Sequence, residues 1–306
     1  MAMENEIPFF YNLETALKTP EKVLRLDLHY KELTDIPKEI IKLTNLTELY
    51  LWNNKITEIP SFLLELKHIK KLDLSGNSIT TIPADINKLS GLEVLILSWN
   101  KLKEIPKNIG ELKSIKILGL GNNEIESLPD EIGSMSELEE LIICENPLKE
   151  LPASIGKLTN LKVLNACSCR IKELPASICD LYNLKKLEIH QNHISELPAA
   201  INKLQKLEKL RAYSNIIAKL PTTISEIYTL KKLILFKNDL ADIPANIGEL
   251  VNLEELDLSS NELKSLPDSI SNFKSIKTIN LGKNNFSQEE KVKIQSLLQH
   301  TSINWA

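Results

Sequence analysis

The chain has 306 residues, 42% of them hydrophobic and 25% charged, with 37 basic against 41 acidic side chains. A net charge of −4 and a pI near 5.9 weigh against non-specific binding to nucleic acid or to an anionic membrane. No apolar run approaches the about 18 residues that a membrane-spanning helix needs.

Residues 1–22 are predicted to form an N-terminal helical cap. Asn12 is placed to cap a short amphipathic helix carrying Leu13, Ala16 and Leu17, and Pro20 follows it. The opening stretch MAMENEIPFFYNLE lacks a basic region followed by an apolar run, so no signal peptide is expected. The expected location is cytoplasmic, with secretion only if a leader has already been removed. Cys144, Cys167, Cys169 and Cys179 lie in two neighbouring repeats and not in terminal disulfide caps, which leans towards a reducing compartment.

From residue 23 onwards the chain repeats every 23 residues. Asparagines fall at 54, 77, 100, 123, 146, 192, 215, 238, 261 and 284, and Cys169 fills the one gap. Eleven of the fourteen prolines share the period, from Pro37 to Pro267. Fixed spacing over this length implies stacked identical units and not one globular core. In the copy that starts at Leu92 the pattern is Leu92, Leu95, Leu97, Asn100, Leu102, Ile105, Pro106, Ile109 and Leu112. The first part alternates as a strand does. The proline then extends the residue before it and opens a turn, and Ile109 with Leu112 suits one short helical turn. A buried asparagine in the loop can satisfy the backbone groups of its neighbours. Eleven full copies and the start of a twelfth are expected over residues 23–285, with one parallel strand per copy. A lone copy cannot bury its apolar face, so stability must come from stacking.

Residues 286–306 are predicted to be a C-terminal helical cap. Ser287 and Glu290 make a capping-box pattern, Val292, Ile294, Leu297 and Leu298 give the helix an apolar side, and Trp305 closes the last copy.

The consensus LxxLxLxxNxLxxLPxxIxxLxxL resembles the leucine-rich repeat family. Its 23-residue Leu/Ile-Pro form is similar to Scribble- and Ras-pathway-type intracellular scaffolds, to plant intracellular Ras-group proteins and, in the stretch YNLETALKTPEKV, to bacterial members. The resemblance implies an α/β solenoid, a horseshoe with a concave parallel β-sheet and short convex helices or 3-10 turns. It also implies binding of a protein on the concave face. Two positions depart from the pattern: Lys31 and Cys169 stand where asparagine is expected.

Motifs for chemistry are missing: the chain holds no nucleotide-binding glycine loop, HExxH helix or GxSxG elbow. Bacterial ubiquitin-ligase effectors join similar repeats to a catalytic domain, but only residues 286–306 follow the repeats here. No enzyme activity and no cofactor is expected. His190 and His193 read H-x-x-H, and Cys144, Cys167 and His190 share one place in the repeat. Strands about 4.8 Å apart would spread these three as a ladder, which suits tetrahedral zinc poorly, so no metal is expected. Side-by-side parallel strands also match a Cys144–Cys167 disulfide poorly. Cys169 should point inward as a buried thiol.

The third, fifth and seventh places of each copy should point out of the sheet. On this map the middle copies are apolar: Val94, Ile96, Ile117, Ile142, Cys144 and Val163, with Trp99 at the edge. Gly119 and Gly121 at the centre should leave space for a ligand. Beside this patch runs a basic and aromatic strip that includes His190, Arg211, Tyr213 and Phe236. Aromatic residues and arginine anchor protein interfaces, although strand propensity alone also selects valine, isoleucine and aromatics. The expected function is therefore non-enzymatic protein recognition by a monomer. The partner should dock across the fourth to tenth copies through Val94, Ile96, Trp99, Ile117, Gly119, Gly121, Ile142, Cys144, Val163, His190, Arg211, Tyr213 and Phe236. The alternatives are a sensor of a small or peptide ligand seated at Gly119 and Gly121, and a targeting fragment of a larger enzyme.

Overall fold

The computed structural model describes residues 9–306, so the cap and leader expectations for residues 1–8 lie outside the described residues. The chain divides into two compact units, Met1–Pro147 and Leu148–Ala306.

The first unit carries a parallel sheet of β1 (Phe9–Phe10), β2 (Arg25–Asp27), β3 (Glu48–Tyr50), β4 (Lys71–Asp73), β5 (Val94–Ile96), β6 (Ile117–Gly119) and β7 (Glu140–Ile142), in chain order. From β2 to β7 the pairing keeps the 23-residue register, as in Leu72↔Leu95↔Leu118, whereas β1 pairs Phe9 with Arg25. The returns are 3-10 turns such as Lys107–Glu111, entered from Pro106 at φ −67°, ψ 147°. Ile109 N–H donates to the Pro106 carbonyl at 3.0 Å and Leu112 N–H to the Ile109 carbonyl at 3.1 Å. This i to i+3 step brings Ile109 and Leu112 over one another and into the core, where both are fully buried. At the start, α1 (Leu13–Ala16) is capped by Asn12, whose Oδ1 accepts from Thr15 N–H at 3.1 Å.

The second unit repeats the arrangement with β8 (Val163–Asn165), β9 (Lys186–Glu188), β10 (Lys209–Arg211), β11 (Lys232–Ile234), β12 (Glu255–Asp257), β13 (Thr278–Asn280) and β14 (Ser302–Asn304). It ends with α2 (Gln288–Leu297), capped by Ser287. Ser287 Oγ accepts from Glu290 N–H at 3.1 Å, while the Glu290 carboxylate accepts from Leu266 N–H at 3.0 Å instead of closing the box. Ile294 and Leu298 are buried, but Val292 is exposed, contrary to the expected apolar side. Trp305 meets Phe286 edge-on at 5.8 Å, as a closing side chain should. The strands β2–β13 are the twelve expected from the repeat. β1 and β14 are additional, and they cover the outer strands β2 and β13 with one more paired strand each.

The asparagine ladder works through both ends of each amide. Asn77 Oδ1 accepts from Ile56 N–H at 3.0 Å, and its Nδ2 donates to the carbonyls of Leu51 and Leu74, both at 3.0 Å. In the second unit Asn215 does the same for Ile194 N–H, Ile189 and Ala212. Each rung thus ties its own loop to the preceding one. The residue before each ladder asparagine sits in the left-handed region, with φ between 52° and 64° from Asn53 to Lys283. Only one of these residues is a glycine, Gly76. Among the described residues no helix is long and apolar enough to cross a membrane.

Candidate functional site

The residues expected to contact a partner fall into two groups, eight on the first unit and five on the second. On the first unit, Val94 faces Ile117 across β5 and β6, Ile96 faces Gly119, and Gly119 faces Ile142 on β7. The four aliphatic side chains are half-buried, so they form a shallow apolar surface with Glu140 opposite Ile117. Trp99 stands at the edge, 61% exposed. It occupies the left-handed place before Asn100, at φ 61°.

The two glycines do not open a hollow. A Cβ on Gly119 would lie 3.1 Å from Ile96 Cδ1 and 3.3 Å from Ser98 Oγ. A Cβ on Gly121 would lie 3.0 Å from Cys144 Sγ. Neighbouring side chains lean over both positions, and both glycines are buried. The space expected for a ligand is already occupied.

On the second unit the strip resolves into three parallel rows across β9, β10 and β11. The seventh place carries a stack of rings. His190 lies 4.2 Å from Tyr213, and Tyr213 lies 4.3 Å from Phe236, with interplanar angles of 18° and 10°. The strand register creates this stack, because it sets residues 23 apart side by side. His190 was expected on the surface but is only 8% exposed, because Tyr213 covers one of its faces. Its Nδ1 has no hydrogen-bond partner among the described residues. Cys167, at the same place one copy earlier, is buried as well, whereas His193 is exposed. Burial raises the Tyr213 phenol above its ordinary value, with nearby Arg211 opposing the shift.

The fifth place carries Glu188, Arg211 and Ile234. Glu188 Oε1 is 3.0 Å from Lys209 Nζ and 3.6 Å from Arg211 Nη1. Ile234, read as outward-facing, is buried. The third place carries lysines 186, 209 and 232, in register on adjacent strands. Val163 is half-buried on β8, opposite Lys186.

An aromatic cluster on the first unit lies outside the residues expected to contact a partner. His29 stacks on Trp52 at 4.2 Å and 4°, and Tyr30 meets Trp52 edge-on at 5.0 Å. Phe9 packs against Tyr11 and Tyr50, with Arg25 5.2 Å over its ring. Tyr50 donates to Glu48 Oε2 at 2.7 Å, and burial first, then Glu48, pushes its phenol well above the ordinary value. The signal was present, since His29 and Trp52 share the seventh place in successive copies.

Models described as leucine-rich repeat region match residues 61–146 and 141–233, and models described as leucine rich repeat match 229–286 and 45–66. No curated protein sequence matches the chain. Among solved structures the fold is similar to that of an internalin, inlF, from Listeria monocytogenes. The identity is 24% and the TM-score 0.72, over 94% of this chain and 88% of that one. It is also similar to the Arabidopsis receptor kinase HAESA, solved in complex with the peptide hormone IDA and the co-receptor SERK1. There the identity is 30% and the TM-score 0.76, over 85% of this chain and 46% of that one. The ectodomain of GASSHO1/SCHENGEN3 from Arabidopsis thaliana matches at 26% identity and TM-score 0.59, over 94% of this chain and 42% of that one. This chain therefore spans under half the length of either plant receptor.

Proposed function

The chain belongs to the leucine-rich repeat family, and on that premise we propose that it is a non-enzymatic recognition module that binds another protein on the open face of its sheet. The fold commonly mediates protein–protein interaction. The observation that carries the proposal is the stack His190, Tyr213 and Phe236 beside Arg211. Tyrosine and arginine are the side chains that concentrate binding energy at interfaces. A ring held between two others has already lost much of its freedom, so docking on it costs little further entropy. The apolar surface of Val94, Ile96, Ile117 and Ile142 on the first unit supplies a second contact area of the same kind.

A peptide partner is favoured over a small molecule. HAESA, 30% identical, is solved with a peptide hormone, whereas side chains already fill the space at Gly119 and Gly121. On this reading the protein works as a monomer in a reducing, cytoplasmic setting, which light scattering and fractionation of its host cells check.

The test begins with co-purification and mass spectrometry, followed by titration of the identified partner against three variants. Tyr213→Ala should weaken binding at least about tenfold, or about 1.4 kcal/mol. Ile117→Glu should do the same while leaving the fold nearly intact, because the side chain reaches the surface. Lys203→Gln, in the turn Ile201–Lys203, should leave affinity unchanged. Wild-type affinity in both sheet variants, with a loss in the turn variant, would refute the proposal.

A further inference from the structure

The lysine row on the second unit carries a charge pattern that aromatic recognition alone does not explain. Lys209 lies directly opposite Lys186 on one side and Lys232 on the other. Like charges set opposite one another on neighbouring strands are destabilising. Beside them, at the second place, stand Lys185 and Lys231 with Glu208 between. Together these six side chains line a hollow of about 310 Å³. A second hollow of about 420 Å³ shares Lys185, Glu208 and Lys231 and adds Lys206, Thr229 and Asn252.

The ion pairs around the hollow leave part of this charge uncompensated. Lys231 pairs with Glu208 at 2.8 Å, Lys232 with Glu255 at 2.7 Å, and Lys209 with Glu188 at 3.0 Å. Lys185 and Lys186 make no ion pair among the described residues. Both still act on Glu208, whose carboxyl is held below its ordinary value by Lys231 first and by these two lysines as well. The wider distribution agrees. The first unit holds 16 basic and 24 acidic residues and the second 21 and 17, so the charges are −8 and +4. Within the second unit, residues 148–237 alone hold 15 basic against 7 acidic.

We propose that this lysine-lined surface on β9–β11 receives an acidic segment of a protein partner, its carboxylates lying across Lys186, Lys209 and Lys232 in the direction of the stacked strands. The assignment rests on the reading that this face is the recognition surface, and it names the chemistry of the partner. Strands about 4.8 Å apart place the outer two lysine rows about 10 Å apart, which an extended segment covers in about three residues. The ring row lies four residues further along each strand, about 13 Å away. The segment that fits is therefore acidic on the lysine side, with apolar residues reaching the rings. Lysine suits carboxylates as a mobile point charge, and the pairs already present show its reach to glutamate. Complementary charge of this kind speeds encounter and selects partners.

The experiment measures fluorescence polarisation of a labelled eight-residue glutamate peptide, with a glutamine peptide of equal length as control. The glutamate peptide should bind, weaken steeply with added salt, and lose at least about tenfold affinity in the Lys186→Gln/Lys209→Gln/Lys232→Gln variant. Lys186 and Lys232 are exposed and Lys209 is half-buried, and circular dichroism verifies that the variant is folded. Equal binding of the two peptides, or an unchanged triple variant, would overturn the proposal. Tighter binding of a single-stranded oligonucleotide of similar charge would also overturn it, assigning the surface to polyphosphates. So would a dimer of the protein alone that the triple variant dissolves. The recognition reading would survive any of these results if Tyr213→Ala still weakened a purified partner that carries no acidic segment.

Discussion

Removing one rung of the asparagine ladder tests how the repeats are joined. Asn192 is the rung next to Cys169 in the second unit. Its Oδ1 accepts from Ile171 N–H at 3.0 Å, that amide's sole partner among the described residues. Its Nδ2 donates to Ala166 at 2.8 Å, to Ile189 at 3.1 Å and to His190 at 3.3 Å. Asn192→Ala orphans a buried amide, at about 1–3 kcal/mol, and takes the donor from the Ala166 carbonyl at about 1 kcal/mol, whereas the Ile189 carbonyl keeps Asn215 Nδ2 and the His190 carbonyl keeps Ser168 N–H. The expected loss is about 2–4 kcal/mol. Cys169 stands in the same place one copy earlier and offers a thiol 3.4 Å from the Cys167 carbonyl. A thiol is a weak donor, so Cys169→Ala should cost less than about 1.5 kcal/mol. Both residues lie in one unit, so urea titration followed by circular dichroism compares them directly. Equal losses would show that the loops do not depend on the amide.

Three further outcomes follow from the geometry. Gly110→Ala places a Cβ 2.1 Å from the Glu131 carbonyl oxygen; backbone must shift, and thermal unfolding should show a loss of about 1–3 kcal/mol. Trp99→Gly removes a bulky side chain from a left-handed φ of 61° and leaves no buried gap, since the ring is exposed; stability should be unchanged or rise by up to about 1 kcal/mol. The Tyr213 phenol, raised by burial, should titrate above the ordinary tyrosine range in ultraviolet absorbance, and Phe236→Ala should bring it back towards normal. Because the folded value is the higher one, this contribution is complete below the unfolded pKa. It is lost as pH rises through the folded value, in the alkaline range.

The repeat made the strands legible from the sequence. Leu95, Leu118 and their images had to be buried on one face, and a 23-residue period admits only one register. The caps were legible at Asn12 and Ser287, because capping is chemistry within four residues. β14 was missed, although Ser302-Ile303-Asn304 copies Thr278-Ile279-Asn280 closely. The helix before it drew that segment into the cap. The candidate surface was legible only as a direction for side chains. Whether Gly119 left a hollow depended on how far Ile96 and Ser98 lean across strands. Likewise the burial of His190 came from Tyr213 lying flat upon it. Neither is encoded in the residue's own neighbourhood along the chain. The lysine row was visible in the period, but its like-charge register became a physical cost only once the strands were paired.

Recognition through the ring stack is tested most directly by hydroxyl-radical footprinting of the second unit's tyrosines and phenylalanines, free and bound to a purified partner. Tyr182 and Tyr228, about half exposed just after the turns Ala176–Asp180 and Thr222–Glu226, serve as internal controls. On binding, Tyr213 and Phe236 should become protected while Tyr182 and Tyr228 oxidise as before. Protection of Tyr182 and Tyr228, with Tyr213 and Phe236 unchanged, would contradict recognition through the ring stack.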